Sequence, residues 1–121
     1  MKNATFLRRL GFAWSGIRFA AAHERSFRTQ LILGLGALAV FGWLRVAPLW
    51  WALFALSAAL VIALELINTA LEQIVDRLHP ELHPSIRAAK DCAAGAVLCA
   101  SLGALVVGLL AVFETLRAAS G

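Results

Sequence analysis

Four stretches of the chain carry helical patterns of apolar and polar positions, and they differ in kind. Over residues 3–22 the apolar side chains Phe6, Leu7, Leu10, Trp14 and Ile17 fall on one face of a helix, with Arg8, Arg9 and Arg18 elsewhere around it. A basic amphipathic helix with Trp and Phe on its apolar side is the kind that lies in a membrane interface rather than across it. From Leu31 to Leu44, 14 residues carry no charge. That is short of the ~20 needed to span, and a start near Ser26 makes up the length, so a first span is expected over 26–46. Arg45 and Pro48 close it in a tight turn, where Trp43, Trp50 and Trp51 cluster as an interfacial aromatic belt.

The next run is uncharged for 16 residues from Leu49 until Glu65. The segment ELINTALEQIVD (65–76) keeps helical composition, which predicts a second span over 49–76 whose end projects beyond the bilayer. RLHPELHPSIR (77–87) interrupts the pattern, because Pro80 and Pro84 disfavour helix at the histidines before them. A third span is expected over 88–113, built on the uncharged run from Cys92 to Phe113. In it Ala96, Ala100, Ala104 and Gly108 form a small-residue ridge of the kind that lets helices approach closely in lipid, within one chain or between chains. Three thin spans enclose little interior, which favours an oligomer.

Composition narrows the class. Of 121 residues, 61% are hydrophobic and 15% charged, with a mean hydropathy of +0.81. An ordinary soluble domain runs about 45–50% apolar and about 25% charged. A soluble nucleotide-binding α/β enzyme, a disordered tail and a secreted disulfide scaffold are thereby excluded. An all-α integral membrane protein remains, forming a single membrane domain over 1–121. Its first 30 residues lack the uninterrupted apolar core of a signal peptide.

The net charge is +4 and the pI about 10.1, but the positions of the cations matter more. Lys2, Arg8, Arg9, Arg18, Arg25 and Arg28 precede the first long apolar run, and Arg77, Arg87 and Lys90 share one later loop. This is the positive-inside distribution. It puts the N-terminus and the 77–87 loop in the cytoplasm and, with three crossings, the C-terminus outside, and it argues against a nucleic-acid partner. Cys92 and Cys99 are separated by about 10.5 Å on a helix, too far for a disulfide, and read as small packing residues.

Candidate chemistry lies in the acids. Glu65, Asn68, Glu72 and Asp76 share one helical face, within an arc of about 80° at ~100° per residue. Like charges on one stripe repel unless protons or a cation offset them. Mg²⁺ accepts such ligands, commonly one or two carboxylates together with substrate phosphates. Read otherwise, the stripe is a solvated helix end paired with Arg77 and Arg87. Glu65 weighs against that reading, since an ionisable group directly after a long apolar run is a functional candidate. Glu24, in HERSFR, and the Lys90–Asp91 pair lie on the same side, although such pairs also serve as ordinary helix-end charges. Carboxylates with a lysine are the parts that phosphoryl transfer requires. His79 and His83 do not form a zinc face, because a proline follows each. Neither a glycine-rich phosphate loop nor a protein-kinase signature is present.

The block ELINTALEQIVD, the later RAAKDCAAGAV, and WSGIR (14–18) with ERSFR (24–28) resemble the small prokaryotic diacylglycerol kinase family, which includes undecaprenol kinases. The resemblance covers about residues 5–113. It implies a homotrimer of three transmembrane helices per chain with an interfacial N-terminal helix, in the bacterial cytoplasmic (inner) membrane. Its sites would lie between subunits at the cytoplasmic surface, where ATP and Mg²⁺ meet a membrane lipid alcohol. By this resemblance Glu65 is the general base, and Glu24 and Glu72 hold the divalent metal. Asn68 and Asp76 support that site, and with them Glu81, His83, Lys90 and Asp91 contact the nucleotide. Trp14, Arg18, Phe27 and Arg28 belong to the lipid-entry region. Residues 93–97 read AAGAV, closer to the undecaprenol branch, with Ala94 where the diacylglycerol branch carries serine.

A small proton-coupled membrane transporter is the alternative from another class, and a non-catalytic membrane scaffold is a third. A transporter would set its carboxylate near the midplane, whereas Glu65 follows 16 uncharged residues and begins a stripe that continues outward.

Overall fold

A computed structural model describes Asn3 and residues 5–121, which fold into four helices: α1 (Phe6–His23), α2 (Arg25–Leu44), α3 (Pro48–Leu78) and α4 (Pro84–Ser120). Met1, Lys2 and Ala4 lie outside the described residues, among them Lys2 of the N-terminal basic group. Helices α2, α3 and α4 are each long and apolar enough to cross a membrane. Their many exposed leucines, Leu33, Leu60 and Leu109 among them, suit lipid rather than water.

Thr5 starts α1, its hydroxyl accepting the Arg8 N–H at 3.3 Å. Phe6, Leu7 and Trp14 stand exposed on this helix. Only Glu24 separates α1 from α2. Its N–H closes α1 onto the Ala20 carbonyl at 2.8 Å, and the Arg28 guanidinium reaches back to the Ala21 and Ala22 carbonyls at 3.0 and 3.2 Å. A cation on the orphan carbonyls of a helix end is favourable on both hydrogen-bonding and dipole grounds. Ala20 and Phe27 are fully buried at this corner.

The α2–α3 connection is a Schellman turn. Arg45 N–H bonds to Gly42 O and Val46 N–H to Phe41 O, with Arg45 left-handed at φ 57°, ψ 52°. Such a turn commonly places a glycine at that position; here Val46 packs on Phe41 in a small core with Phe54 and Ala111. Phe41 also meets Trp51 edge-on at 5.6 Å, and the Trp51 indole donates to the Val46 carbonyl at 3.0 Å.

The broadest interhelical contact joins α3 and α4. A Cβ placed on Gly108 would stand 3.8 Å from the Phe54 ring, and Ala96, Ala100 and Ala104 are half-buried along with Gly108. At Gly108 the small-residue ridge is therefore used within the chain, against α3. Gln30 of α2 donates to Ser101 of α4 at 2.6 Å, tying the third pair. Helix α4 extends beyond 88–113 at both ends. At its start Pro84 occupies the first helical position, where its missing N–H costs nothing, and His83 Nδ1 caps the Ser85 N–H at 3.0 Å. The break expected over 77–87 thus shrinks to His79–His83. Cys92 and Cys99 are free and exposed rather than packed.

Candidate active site

Two helices, α2 and α3, meet at Glu65. It lies on α3 and is 1% exposed, and Ser26 Oγ at the start of α2 donates to its Oε1 at 2.6 Å. One turn on, the Thr69 hydroxyl donates to the Glu65 backbone carbonyl at 2.9 Å. A carboxylate this buried is costly unless hydrogen-bonded or paired, so its surroundings matter more than its exposed neighbours'.

Glu24 stands at the α1–α2 corner, near both Glu65 and Glu72. Burial first, then repulsion from Glu72 and from Glu65, holds its carboxyl above the usual value of 4.5, against the opposing pull of His23 and Arg28. Asn68 Nδ2 donates to Glu72 Oε1 at 3.4 Å, while Asn68 Oδ1 is buried with no partner. Repelling carboxylates beside an unsatisfied carbonyl oxygen form a donor set that suits a hard, oxygen-seeking cation. Among the described residues no three His, Cys, Asp or Glu side chains form a metal cage.

The raised Glu24 carboxyl has a consequence for stability. The folded protein binds this proton more tightly than the unfolded chain does. The resulting stabilisation is complete below about 4.5 and is lost as pH rises through the raised value. In metal-free detergent solution, Glu24→Gln should therefore melt at a higher temperature than the wild type at neutral pH, with the difference vanishing under acid conditions. Thermal melts across that range in EDTA check this, and a difference independent of pH contradicts it.

The other expected site residues are spread more widely. Lys90 Nζ pairs with Asp76 at 2.6 Å, linking α4 to the outer end of α3. Asp91 pairs with Arg87 at 3.3 Å. Glu81 lies in the loop, exposed; a backbone hydrogen bond first, then His79 at 3.3 Å, lowers its carboxyl below the usual range. His83 is the α4 cap. Trp14 and Arg18 are exposed on α1. Phe27 is fully buried rather than on a lipid-facing surface, and Arg28 holds the corner. Between α1 and α3 lies a shallow, open groove of about 370 Å³ lined by Gly16, Ile17, Phe19, Leu66, Thr69 and Ala70 among others.

Ser26 and Thr69 were not singled out from the sequence. The Ser26 contact joins residues 39 apart, and its one local signal is a hydroxyl two positions after Glu24.

The sequence profile of the prokaryotic diacylglycerol kinases matches residues 11–112. The chain is 41% identical over 98 residues to a diacylglycerol kinase of Synechocystis sp., covering 80% of this chain and 56% of that protein. It is 35% identical over 96 residues to the diacylglycerol kinase of Escherichia coli K12, covering 79% of each. To the undecaprenol kinase of Bacillus subtilis it is 32% identical over 105 residues, 87% of this chain and 85% of that one. With the three apolar helices, these likenesses make it a multi-pass membrane protein, and the chain belongs to the prokaryotic diacylglycerol kinase family.

Proposed function

We propose that the chain is an ATP-dependent lipid kinase that transfers the γ-phosphoryl group to the hydroxyl of a membrane lipid alcohol, diacylglycerol or undecaprenol. The observation that carries this reading is the buried, hydrogen-bonded Glu65 beside the mutually repelling Glu24 and Glu72. The names of the similar proteins support the same chemistry.

In this reading Glu65 accepts the proton of the lipid hydroxyl. The hydroxyl oxygen forms its bond to the γ-phosphorus as the bond from that phosphorus to the β–γ bridging oxygen breaks, and ADP leaves. Glu24 and Glu72 would hold a divalent metal, with Asn68 Oδ1 turned to the same site. Mg²⁺, when bound, supplies positive charge to the phosphate oxygens. Lys90 and Asp76, already joined at 2.6 Å, would meet the nucleotide with Asp91, Glu81 and His83. Helix α1 would lie in the membrane interface, Trp14, Arg18 and Arg28 bordering the lipid entrance. The protein would assemble as a homotrimer in the bacterial inner membrane with this site facing the cytoplasm.

The test is transfer of labelled phosphate from ATP to diacylglycerol and to undecaprenol by purified protein in detergent with Mg²⁺. Transfer to either lipid is the expected result, and transfer to neither by folded protein would overturn the reading. Two further outcomes follow. Reporter fusions should place the 77–87 loop inside and Gly121 outside; both on one side would contradict a crossing by α4.

The open groove between α1 and α3 would receive the first part of the lipid chain. A Cβ at Gly16 meets nothing within 4 Å. Gly16→Leu should therefore be tolerated by the fold and obstruct the groove, raising the lipid KM severalfold and leaving the ATP KM unchanged. Unaltered lipid kinetics in this variant would remove the groove from the site.

A further inference from the structure

We propose that Ser26 is a positioning residue for Glu65, anchoring one carboxylate oxygen so that the other is presented to the substrate hydroxyl. This rests on the kinase reading above. Ser26 Oγ donates to Glu65 Oε1 at 2.6 Å, within the short range of a hydroxyl bound to a charged carboxylate. Among the described residues no other side chain donates to that carboxylate.

The terminal torsion of a glutamate is broad and soft. An unanchored carboxylate would sweep a range of orientations, whereas a general base must come within ~2.6–3.2 Å of the proton it takes. A misplacement of about 1 Å can cost roughly 100-fold in rate. A hydroxyl donor on one oxygen removes that freedom and still leaves the other oxygen's lone pairs available.

The location of the donor adds to this. Ser26 lies in the first turn of α2, immediately after the corner that Glu24 N–H and the Arg28 guanidinium lock onto the end of α1. The same hydrogen-bonded corner therefore carries Glu24 and the orienter of Glu65. The base, on α3, and one carboxylate of the acidic cluster, at the α1–α2 corner, are linked through a few atoms of backbone and the Ser26 hydroxyl.

The experiment compares kcat and KM of the full-length wild type with Ser26→Ala, Ser26→Cys, Ser26→Thr, Glu65→Gln and the Ser26→Ala/Glu65→Gln double variant. Ser26→Ala should lower kcat about 10- to 100-fold, with the KM of ATP and of lipid within about twofold of the wild type. Ser26→Cys keeps the volume with a weak donor, so it should behave as Ser26→Ala. Ser26→Thr keeps the hydroxyl and should restore most of the rate. In the Glu65→Gln background, Ser26→Ala should cause no further loss, since residues acting as a unit are not additive.

Wild-type kcat in Ser26→Ala, recovery in Ser26→Cys, or losses that multiply in the double variant would each overturn the assignment, the last two pointing to packing alone. Failure of the wild type itself to phosphorylate any lipid alcohol would overturn the kinase reading and this inference with it. Activity in the wild type undiminished in Ser26→Ala would overturn this inference alone.

Discussion

Glu65→Gln is expected to lower turnover by about two to four orders of magnitude, the usual worth of general-base assistance. The substitution is nearly isosteric and keeps an oxygen to accept the Ser26 hydroxyl, so the part-buried contact between α2 and α3 can persist. It also removes one of the charges that push on Glu24. The fold should therefore survive, and binding of a non-hydrolysable ATP analogue with Mg²⁺ should be nearly unchanged. The measurement is paired: steady-state phosphorylation and analogue binding on one preparation. Full activity would remove Glu65 as the base. Loss of binding together with activity would make it a metal or structural residue. The base would then have to be sought at Asp76, which is exposed and paired with Lys90.

Glu24→Gln and Glu72→Gln carry the second large effect, this time in the metal requirement. Each keeps shape and removes one of the charges whose mutual repulsion a cation would offset. Even groups one step removed from a metal commonly change its affinity 10- to 100-fold, so each variant should need at least about 10-fold more Mg²⁺ for half-maximal activity. Glu72→Gln has a further consequence, because Asn68 Nδ2 donates to the Glu72 carboxylate at 3.4 Å and an amide there is a weaker acceptor. Identical Mg²⁺ titration curves for wild type and both variants would exclude the two residues as ligands.

The apolar runs made the helices legible, since a chain crossing lipid must satisfy its backbone within each segment. The carboxylate stripe was legible for the same reason: Glu65, Asn68 and Glu72 follow a helical period regardless of what packs on them. Helix ends were harder. Pro84 marks a break by its effect on the residue before it, yet the helix restarts at that proline because His83 caps it. Arg45 sits where glycine is usual, so its left-handed turn has no compositional mark. Pairings across the fold were not legible at all. Ser26 with Glu65 and Lys90 with Asp76 depend on which faces of neighbouring helices meet, and periodicity in one helix says nothing about its neighbour. Phe27 illustrates the same gap, being apolar like its surroundings yet fully buried at the corner.

Helix α3 runs unbroken for 31 residues, about 46 Å at ~1.5 Å per residue, against a hydrocarbon core of about 30 Å. Glu65 lies about 25 Å along it from Pro48, where the tryptophan-bearing turn begins. The helix thus acts as a ruler: with the turn anchored at one interface, the depth of the carboxylate at the other depends on how thick the bilayer is. A thicker membrane draws Glu65 inward and a thinner one pushes it toward water, unless the helix tilts to compensate. With Glu65 as the proposed base, acyl-chain length in the surrounding lipid would act on the chemistry through hydrophobic mismatch, with no effector bound.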